Sequence, residues 1–486
     1  MTKPASALER YPDYQTDIGI EVHIQLTTKS KIFCASENGP SKHPNRNIDP
    51  ICAGYPGVLP VLNKQVVHYA IMTGLATNCT INRMSEFARK HYFYPDLPKG
   101  FQITQADKPI CLDGYVPIRL ENGELKKIRL IRIHMEEDAG KNIHAPTDDI
   151  SLVDLNRAGS PLLEIVSHPD IKSSEEARAY LKSLHHIVTY LGVCTGNMED
   201  GAFRADTNIS VRKKTDTKLG TRCELKNINS FKFIADAIEY EIERHIGILE
   251  RGEKVVQETR LWDTKSQKTF AMRSKEEAAD YRYFKEPDLP PVCIDETWIE
   301  EARKQLPELP HEKFERLQKA YHLKADDAEI LVNDPFIATY YEAAAKKHFS
   351  PSLINWVIRD LLGYLKEHKM SLSECKLNAE QLAEIVHLVD KGRISVRSAQ
   401  EVFVTVARTG ENPEELVKKH GLEQVEDTAA LEVLVKEIIA QNPGQVAEYR
   451  SGKTKLMGFF VGQAMAKTKG RGNPQLLQGL FTRYLS

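Results

Sequence analysis

The stretch GIEVHIQL at 19–26 puts Glu21, His23 and Gln25 on one side of a strand. Alternate residues on a strand point to opposite faces, so Ile20, Val22, Ile24 and Leu26 take the other side as core. Two more segments share this style. In IRLIRIHMEEDAGK (128–141), Ile131 and Ile133 alternate with Arg132, His134 and Glu136, followed by Glu137 and Asp138. In FRADTNISV (203–211), Phe203, Ala205, Thr207 and Ile209 alternate with Arg204, Asp206, Asn208 and Ser210. Asp154, Asn156 and Glu164 from LVDLNRAGSPLLEI (152–165) extend the inventory, as do Glu224, Lys226 and Asn229 from CELKNINS (223–230).

If these strands are neighbours, one sheet face gathers carboxylates, an imidazole, amides, arginine and lysine. Carboxylates with an imidazole suit a hard divalent cation, Mg²⁺ first. Arginine and lysine beside them suit phosphates. Together they describe Mg-ATP on a sheet and phosphoryl transfer to an oxygen acceptor, a reaction governed by positioning and charge neutralisation. The competing reading is an antiparallel sheet with one wet face. Against it, like charges on adjacent strands repel unless a cation separates them. The segment RMSEFARKHYFYPDLPKGFQITQ (83–105) interleaves Phe87, Tyr92, Phe93, Tyr94 and Phe101 with Arg83, Arg89, Lys90, His91 and Lys99. It reads either as a surface that stacks bases and holds phosphates or as a buried loop anchored by its rings.

These side chains need a scaffold. Up to about residue 296 the pattern predicts strands over 18–26, 116–120, 128–135, 150–155, 162–167, 203–212 and 222–228, some separated by turn markers such as ENG and RAGSP. Two amphipathic helices interrupt them. The helix over 173–192 opens with a capping box, Ser173 and Glu176, and that over 230–251 aligns Ile234, Ile238, Ile242, Ile246 and Leu249. Proline-rich EPDLPP (286–291) and LPELP (306–310) form a joint, after which 350–368, 377–392 and 429–442 carry a helical apolar period. Asn378 with Gln381 reads as a cap and Gly392 as a stop. The fold class is α+β: a β-rich domain over 1–296 with a mixed or antiparallel sheet, then all-α segments over 297–405 and 406–486.

The 486 residues are 41 % hydrophobic and 28 % charged, an ordinary globular composition. No apolar run approaches the ~18 residues of a membrane span, and the N-terminus has no apolar signal core. A cytoplasmic protein with no membrane partner is expected. Eight scattered cysteines without a CxxC pair fit free thiols in a reducing compartment. Net charge is −2, yet residues 451–486 hold Lys453, Lys455, Lys467, Lys469, Arg471 and Arg483 and no acid, which points to a polyanion partner. AEYRSGKT (447–454) mimics a P-loop but follows no buried strand. No glutaminase pattern is present, so any ammonia used must be made elsewhere.

The blocks GIEVHIQL, YPGVLPVLN, RKHYFYPDLPKGFQITQ, IRIHMEEDAGK, DLNRAGSPLLEIVSHPD, NMEDGAFRADTNIS, ELKNINSF and GKTKLMGFFVGQAMAKTKGRGNP resemble, in order, the B subunit of the glutamine-dependent aspartyl/glutamyl-tRNA amidotransferase. The resemblance runs from about residue 17 to 484. It implies an amidase A subunit that releases ammonia from glutamine, and a small C subunit that braces a heterotrimer. It implies that the B subunit binds misacylated Glu-tRNA(Gln) or Asp-tRNA(Asn), phosphorylates the side-chain carboxylate with Mg-ATP, and lets ammonia displace phosphate. The β-rich part resembles the family's cradle domain, and the helical part its tRNA-contacting domains, with Lys467, Lys469 and Arg471 as tRNA contacts. The resemblance carries Glu21, His23, Glu136, Glu137, Asp206 and Asn208 into the catalytic site, with His23, Glu136 and Glu137 on Mg²⁺. It puts Arg204, Lys226 and Asn156 on the nucleotide. One departure concerns zinc: many members carry CxC and CxxC where this chain has Cys34, Ser36, Asp49 and Cys52. Two thiolates, a serine and an aspartate make a poor zinc site, so no structural zinc is expected. The alternatives are a catalytically inert tRNA-binding scaffold and a stand-alone amide ligase, which leaves the basic tail unexplained.

Overall fold

Alternation along Tyr14–Gln25 produces a middle strand of a ten-stranded sheet in the computed structural model of the chain. Ile18, Ile20, Val22 and Ile24 are buried in the core, which leaves Glu21 and His23 on the opposite side. The structure describes residues 6–144, 150–272, 280–423, 428–468 and 472–485. Tyr14–Gln25 pairs antiparallel with Phe203–Lys213 on one edge and with Pro161–Ser167 on the other. Leu125–Glu137 lies beyond Pro161–Ser167, and Cys223–Lys226 beyond Phe203–Lys213. Thr259–Asp263 then runs parallel to Cys223–Lys226, which makes the sheet mixed.

The polar strands thus share one sheet, with one strand inserted: Pro161–Ser167 separates GIEVHIQL from the strand that carries Glu136. All seven residues of PLLEIVS are buried, as expected for an inner strand covered on both faces. The apolar side is closed by Ser174–Tyr190 and Phe231–Glu250, whose Ile234, Ile238, Ile242 and Ile246 are fully buried. Lys64–Ala76, a helix the apolar period does not announce, packs on Leu125–Glu137. Ser173 caps its helix by accepting from Glu176 N, but the expected return arm is diverted. Glu176 Oε2 instead accepts from Lys126 Nζ and Lys172 N, both at 2.7 Å, because an ammonium is the stronger donor.

The 83–105 segment is mostly ordered pairing. Ala88–His91 pairs with Phe101–Thr104 and with Phe284–Lys285 in a small three-stranded sheet. Beside it, Gly140 N donates to Asp96 O at 2.9 Å. A Cβ on Gly140 would lie 2.8 Å from Asp154 O and 3.1 Å from Asp96 O. Gly140→Ala is expected to cost about 1–3 kcal/mol by overpacking, read as a lower urea midpoint. An unchanged midpoint would show that the three backbones have slack.

The first compact unit ends at Glu312, beyond residue 296, because helix Glu296–Lys304 buries Ile299 and Ala302 in the same core. From Lys313 the second unit's regular elements are helices, with one apolar cluster between Phe314 and Val417 and another between Leu431 and Leu485. The helix expected over 350–368 is interrupted by a π-helical turn, Trp356–Leu361. Leu353, Val357, Leu361 and Leu365 are all buried. A stripe spaced by four drifts off the face of a regular α-helix, and one wide turn restores it. Asn378 and Gln381 form both arms of a capping box, and Gly392 follows that helix at φ +69°. The fold is α+β. No helix among the described residues is long and apolar enough to cross a membrane.

Candidate active site

Strand register builds the site. Glu21 lies opposite Asp206, His23 opposite both Arg204 and Glu164, and Glu164 opposite His134. All these residues line one cavity of about 2270 Å³, which also takes in Asn208, Glu224, Lys226 and Glu136. Its centre is a carboxylate–imidazole cluster. His23 Nε2 is 3.3 Å from Glu164 Oε2 and 3.6 Å from Glu136 Oε1. His134 Nε2 lies 3.2 Å from Glu164 and 3.7 Å from Glu136. Thr104 Oγ1 donates to Glu136 at 3.2 Å.

Burial and charge pull in opposite directions here. Burial disfavours the imidazolium of His134, but Glu164 and Glu136 outweigh it and hold its pKa at about 9. The same pair raises His23 against its own burial. Burial likewise opposes ionisation of Glu164, yet His134 and His23 keep it well below the ordinary carboxylate range. Glu21 goes the other way: burial raises it, with help from Glu164 and Asp206. One ligand atom each from His23, Glu136 and Glu164 lie within 4.8 Å of one another. Two carboxylates and an imidazole so arranged fit a hard divalent cation.

Cations flank this centre. Lys226 Nζ is shared by Asp206 at 2.9 Å and Glu224 at 3.0 Å. Asn208 Nδ2 donates to Glu21 at 3.0 Å. Arg204 reaches Asp138 at 3.0 Å, where Arg157 at 3.5 Å and Gln25 at 2.9 Å also converge. Two guanidiniums on one carboxylate leave net positive charge on that wall.

Residues 16–300, which build this cavity, match the family described as "GatB/GatE catalytic domain", and residues 339–485 match "GatB domain". The chain is 50% identical over 473 residues to the B subunit of the aspartyl/glutamyl-tRNA(Asn/Gln) amidotransferase of Thermodesulfovibrio yellowstonii, covering 97% of this chain and 99% of the relative. It is 52% identical over 477 residues to the B subunit from Geotalea uraniireducens, with the same coverage. The chain belongs to this family of amidotransferase B subunits. It is therefore one subunit of a tRNA-dependent amidotransferase, a ligase that acts in translation.

Within that family assignment the expected site residues are distributed unevenly. Glu21, His23, Glu136, Arg204, Asp206, Asn208 and Lys226 come together in the cavity. Glu137 does not. As the next residue on the strand it points to the other face, where Lys99 Nζ and Ile103 N donate to its Oε1. Asn156 lines the cavity but its amide is spent on structure: Oδ1 accepts from Arg46 N and Asn47 N, and Nδ2 donates to His43 O. Glu164, His134, Asp138 and Arg157 also line the cavity. Alternation points to His134, whereas Glu164 is a lone acid in an apolar run. In the second unit, Lys467 Nζ contacts Glu437 at 2.8 Å and Gln441 at 3.0 Å. Lys469 and Arg471 lie outside the described residues.

Proposed function

We propose that this subunit uses Mg-ATP to phosphorylate the side-chain carboxylate of Glu-tRNA(Gln) or Asp-tRNA(Asn), and that ammonia from a partner amidase subunit then displaces the phosphate. The observation that carries this reading is the buried cluster of His23, Glu136 and Glu164 inside a cavity rimmed by Arg157, Arg204 and Lys226. The cavity is larger than the ~1,000 Å³ of a large small-molecule pocket, which suits a nucleotide together with an aminoacyl end. A carboxylate is a poor acyl donor, because oxide would have to leave. Its oxygen attacks the γ-phosphorus, the bond to the ADP oxygen breaks, and an acyl phosphate forms. Ammonia attacks the acyl carbon, phosphate leaves with the bonding pair, and the surplus proton passes to solvent or a carboxylate. His23, Glu136 and Glu164 would hold Mg²⁺, which when bound neutralises phosphate charge. Arg204 and Arg157 orient anionic groups, Glu21 and Asn208 position one another, and the sheet floor excludes water.

The partners in this reading are the amidase A subunit and a small C subunit. Lys467, Lys469 and Arg471 are offered as tRNA contacts, Lys467 by releasing Glu437. Structural zinc is not part of the reading. Cys34, Asp49 and Cys52 bring three ligand atoms within 4.8 Å, but the buried Lys31 ammonium lies 3.6 Å from Cys52 Sγ, and Asp49 Oδ1 accepts from the N–H groups of Ile51 and Cys52. A cation already in place opposes a dication. Elemental analysis of purified protein is expected to find well under one zinc per chain, and stoichiometric zinc would overturn that.

The test is ATP hydrolysis by the assembled complex with glutamine, adding Glu-tRNA(Gln), Asp-tRNA(Asn) or uncharged tRNA separately. Turnover that requires a misacylated tRNA supports the reading. A folded complex that binds tRNA yet never hydrolyses ATP would make the chain a tRNA-holding scaffold.

A further inference from the structure

Lys90 is one of four cations of the cavity, with Arg132, Lys141 and Arg222, that have no carboxylate in ion-pair range among the described residues, and it is packed against aromatic rings. Arg204, Arg157 and Lys226 each have a carboxylate partner. Among the described residues the Lys90 ammonium has no carboxylate in ion-pair range and no hydrogen bond. It is held by rings instead: its Nζ sits 4.8 Å from the Tyr281 ring centre and 5.9 Å from that of Tyr92. It is half-buried, on Ala88–His91, and lines the cavity with Tyr92, Tyr281 and Tyr283.

The fold aims it. Lys90 pairs with Gln102, whose Nε2 donates to Glu137 O at 2.7 Å. Thr104, two residues on and on the same face, contacts Glu136. The small sheet is therefore docked on the strand that carries Glu136. Burial lowers the Lys90 pKa, but Glu136, Tyr283 and Glu164 draw it above the ordinary lysine value. The ammonium thus feels the field of the acid centre without being bonded to it.

We propose that Lys90 is a catalytic residue whose ammonium donates to the phosphoryl group in transit, in the cavity it lines together with His23, Glu136 and Glu164. Ring faces hold a cation without a carboxylate acceptor, which leaves an ammonium with N–H donors to offer a ligand. A charge held in place beforehand, with donors unspent, suits a transferring phosphoryl group, whose oxygens carry the negative charge. This rests on the phosphoryl-transfer reading above and adds a residue to it.

The experiment compares wild type, Lys90→Met and Lys90→Arg in the assembled complex. Calorimetry with Mg²⁺ measures the dissociation constants of ADP and of the non-hydrolysable ATP analogue AMPPNP, and single-turnover assays with misacylated tRNA measure ADP formation. Loss of one charge-assisted hydrogen bond to the terminal phosphate should weaken AMPPNP about tenfold in Lys90→Met. ADP should change less than about twofold, with ADP formation slower by about 100-fold. Lys90→Arg should recover part of both. Equal weakening of ADP and AMPPNP, or a thermal melt lowered with no rescue by arginine, would make Lys90 a packing residue and overturn the proposal. So would an unchanged ratio of the two constants. If the wild-type complex hydrolyses no ATP, the phosphoryl-transfer reading fails on that assay. The nucleotide ratio still reports separately on Lys90.

Discussion

Glu164→Gln in the assembled complex should lower tRNA-dependent ATP turnover about a thousandfold. The amide keeps the shape of the side chain and removes one of two carboxylates from the cluster. Loss of several kcal/mol of transition-state charge stabilisation corresponds to that factor. The substitution also acts on binding. A ligand that binds only the folded state raises the melting temperature, so millimolar Mg²⁺ should stabilise the wild type and lose most of that effect in the variant. Glu137→Gln is the matched control: its carboxylate lies on the other face beside Lys99, so the Mg²⁺-dependent shift should persist. Turnover within threefold of wild type in Glu164→Gln, with the Mg²⁺ shift intact, would remove Glu164 from the site.

Glu241→Ala should be strongly destabilising, at about 2–4 kcal/mol. Glu241 is fully buried on Phe231–Glu250 and makes 2.8–2.9 Å bonds to Arg244, with Arg260 at 3.1 Å and His245 at 3.2 Å. Removing it takes away one of the two carboxylates that Arg244 and Arg260 share, leaving them Glu258 at 3.5 Å and 2.5 Å, and strips the buried His245 of its carboxylate neighbour. Burial alone would raise its pKa, but His245, Arg244 and Thr269 bring it down to about 2 from 4.5. The sign follows from linkage. A carboxylate whose pKa is depressed on folding contributes stability above its unfolded value, and that contribution is lost as pH falls through the folded value. Here it amounts to about 3 kcal/mol, fully present above pH 4.5 and disappearing toward pH 2. Denaturant unfolding at pH 7, 4 and 3 should show a steep acid decline in wild type and a shallower one in Glu241→Ala. Parallel declines would mean that Glu241 is not ionised through its arginine contacts.

What is legible in the chain follows from which faces the strands expose. GIEVHIQL and FRADTNISV have one apolar and one polar side, so their period of two reveals both the strands and the residues on the site. PLLEIVS is covered on both sides and has no such period, so Glu164 looks like an isolated charge in a core strand. The same rule of alternation separates Glu136, which lines the cavity, from Glu137, which faces Lys99. Asn156 sits in a turn, where no period fixes direction. Strand order is not readable, because long excursions such as 26–160 separate Tyr14–Gln25 from its neighbour Pro161–Ser167. Helix 64–76 escapes the pattern because KQVVHYAIMTGLA is apolar on most of its surface. Lys90 is visible as part of a basic–aromatic segment, but its cage needs Tyr281, far along the chain.

The order of strands in the large sheet has a kinetic meaning. Glu21, Glu136, Glu164, Asp206 and Lys226 sit on five strands drawn from widely separated parts of the chain, and none of the contacts among the strands bearing Glu21, Glu136 and Glu164 is a local hairpin. Pairings of that kind form slowly, because loop closure must precede any gain from contact. The inserted PLLEIVS strand joins the strands that carry Glu21 and Glu136, pairing with both of them. The proposed divalent-cation site therefore depends on completion of the sheet, since His23, Glu136 and Glu164 come from three strands joined only through Pro161–Ser167.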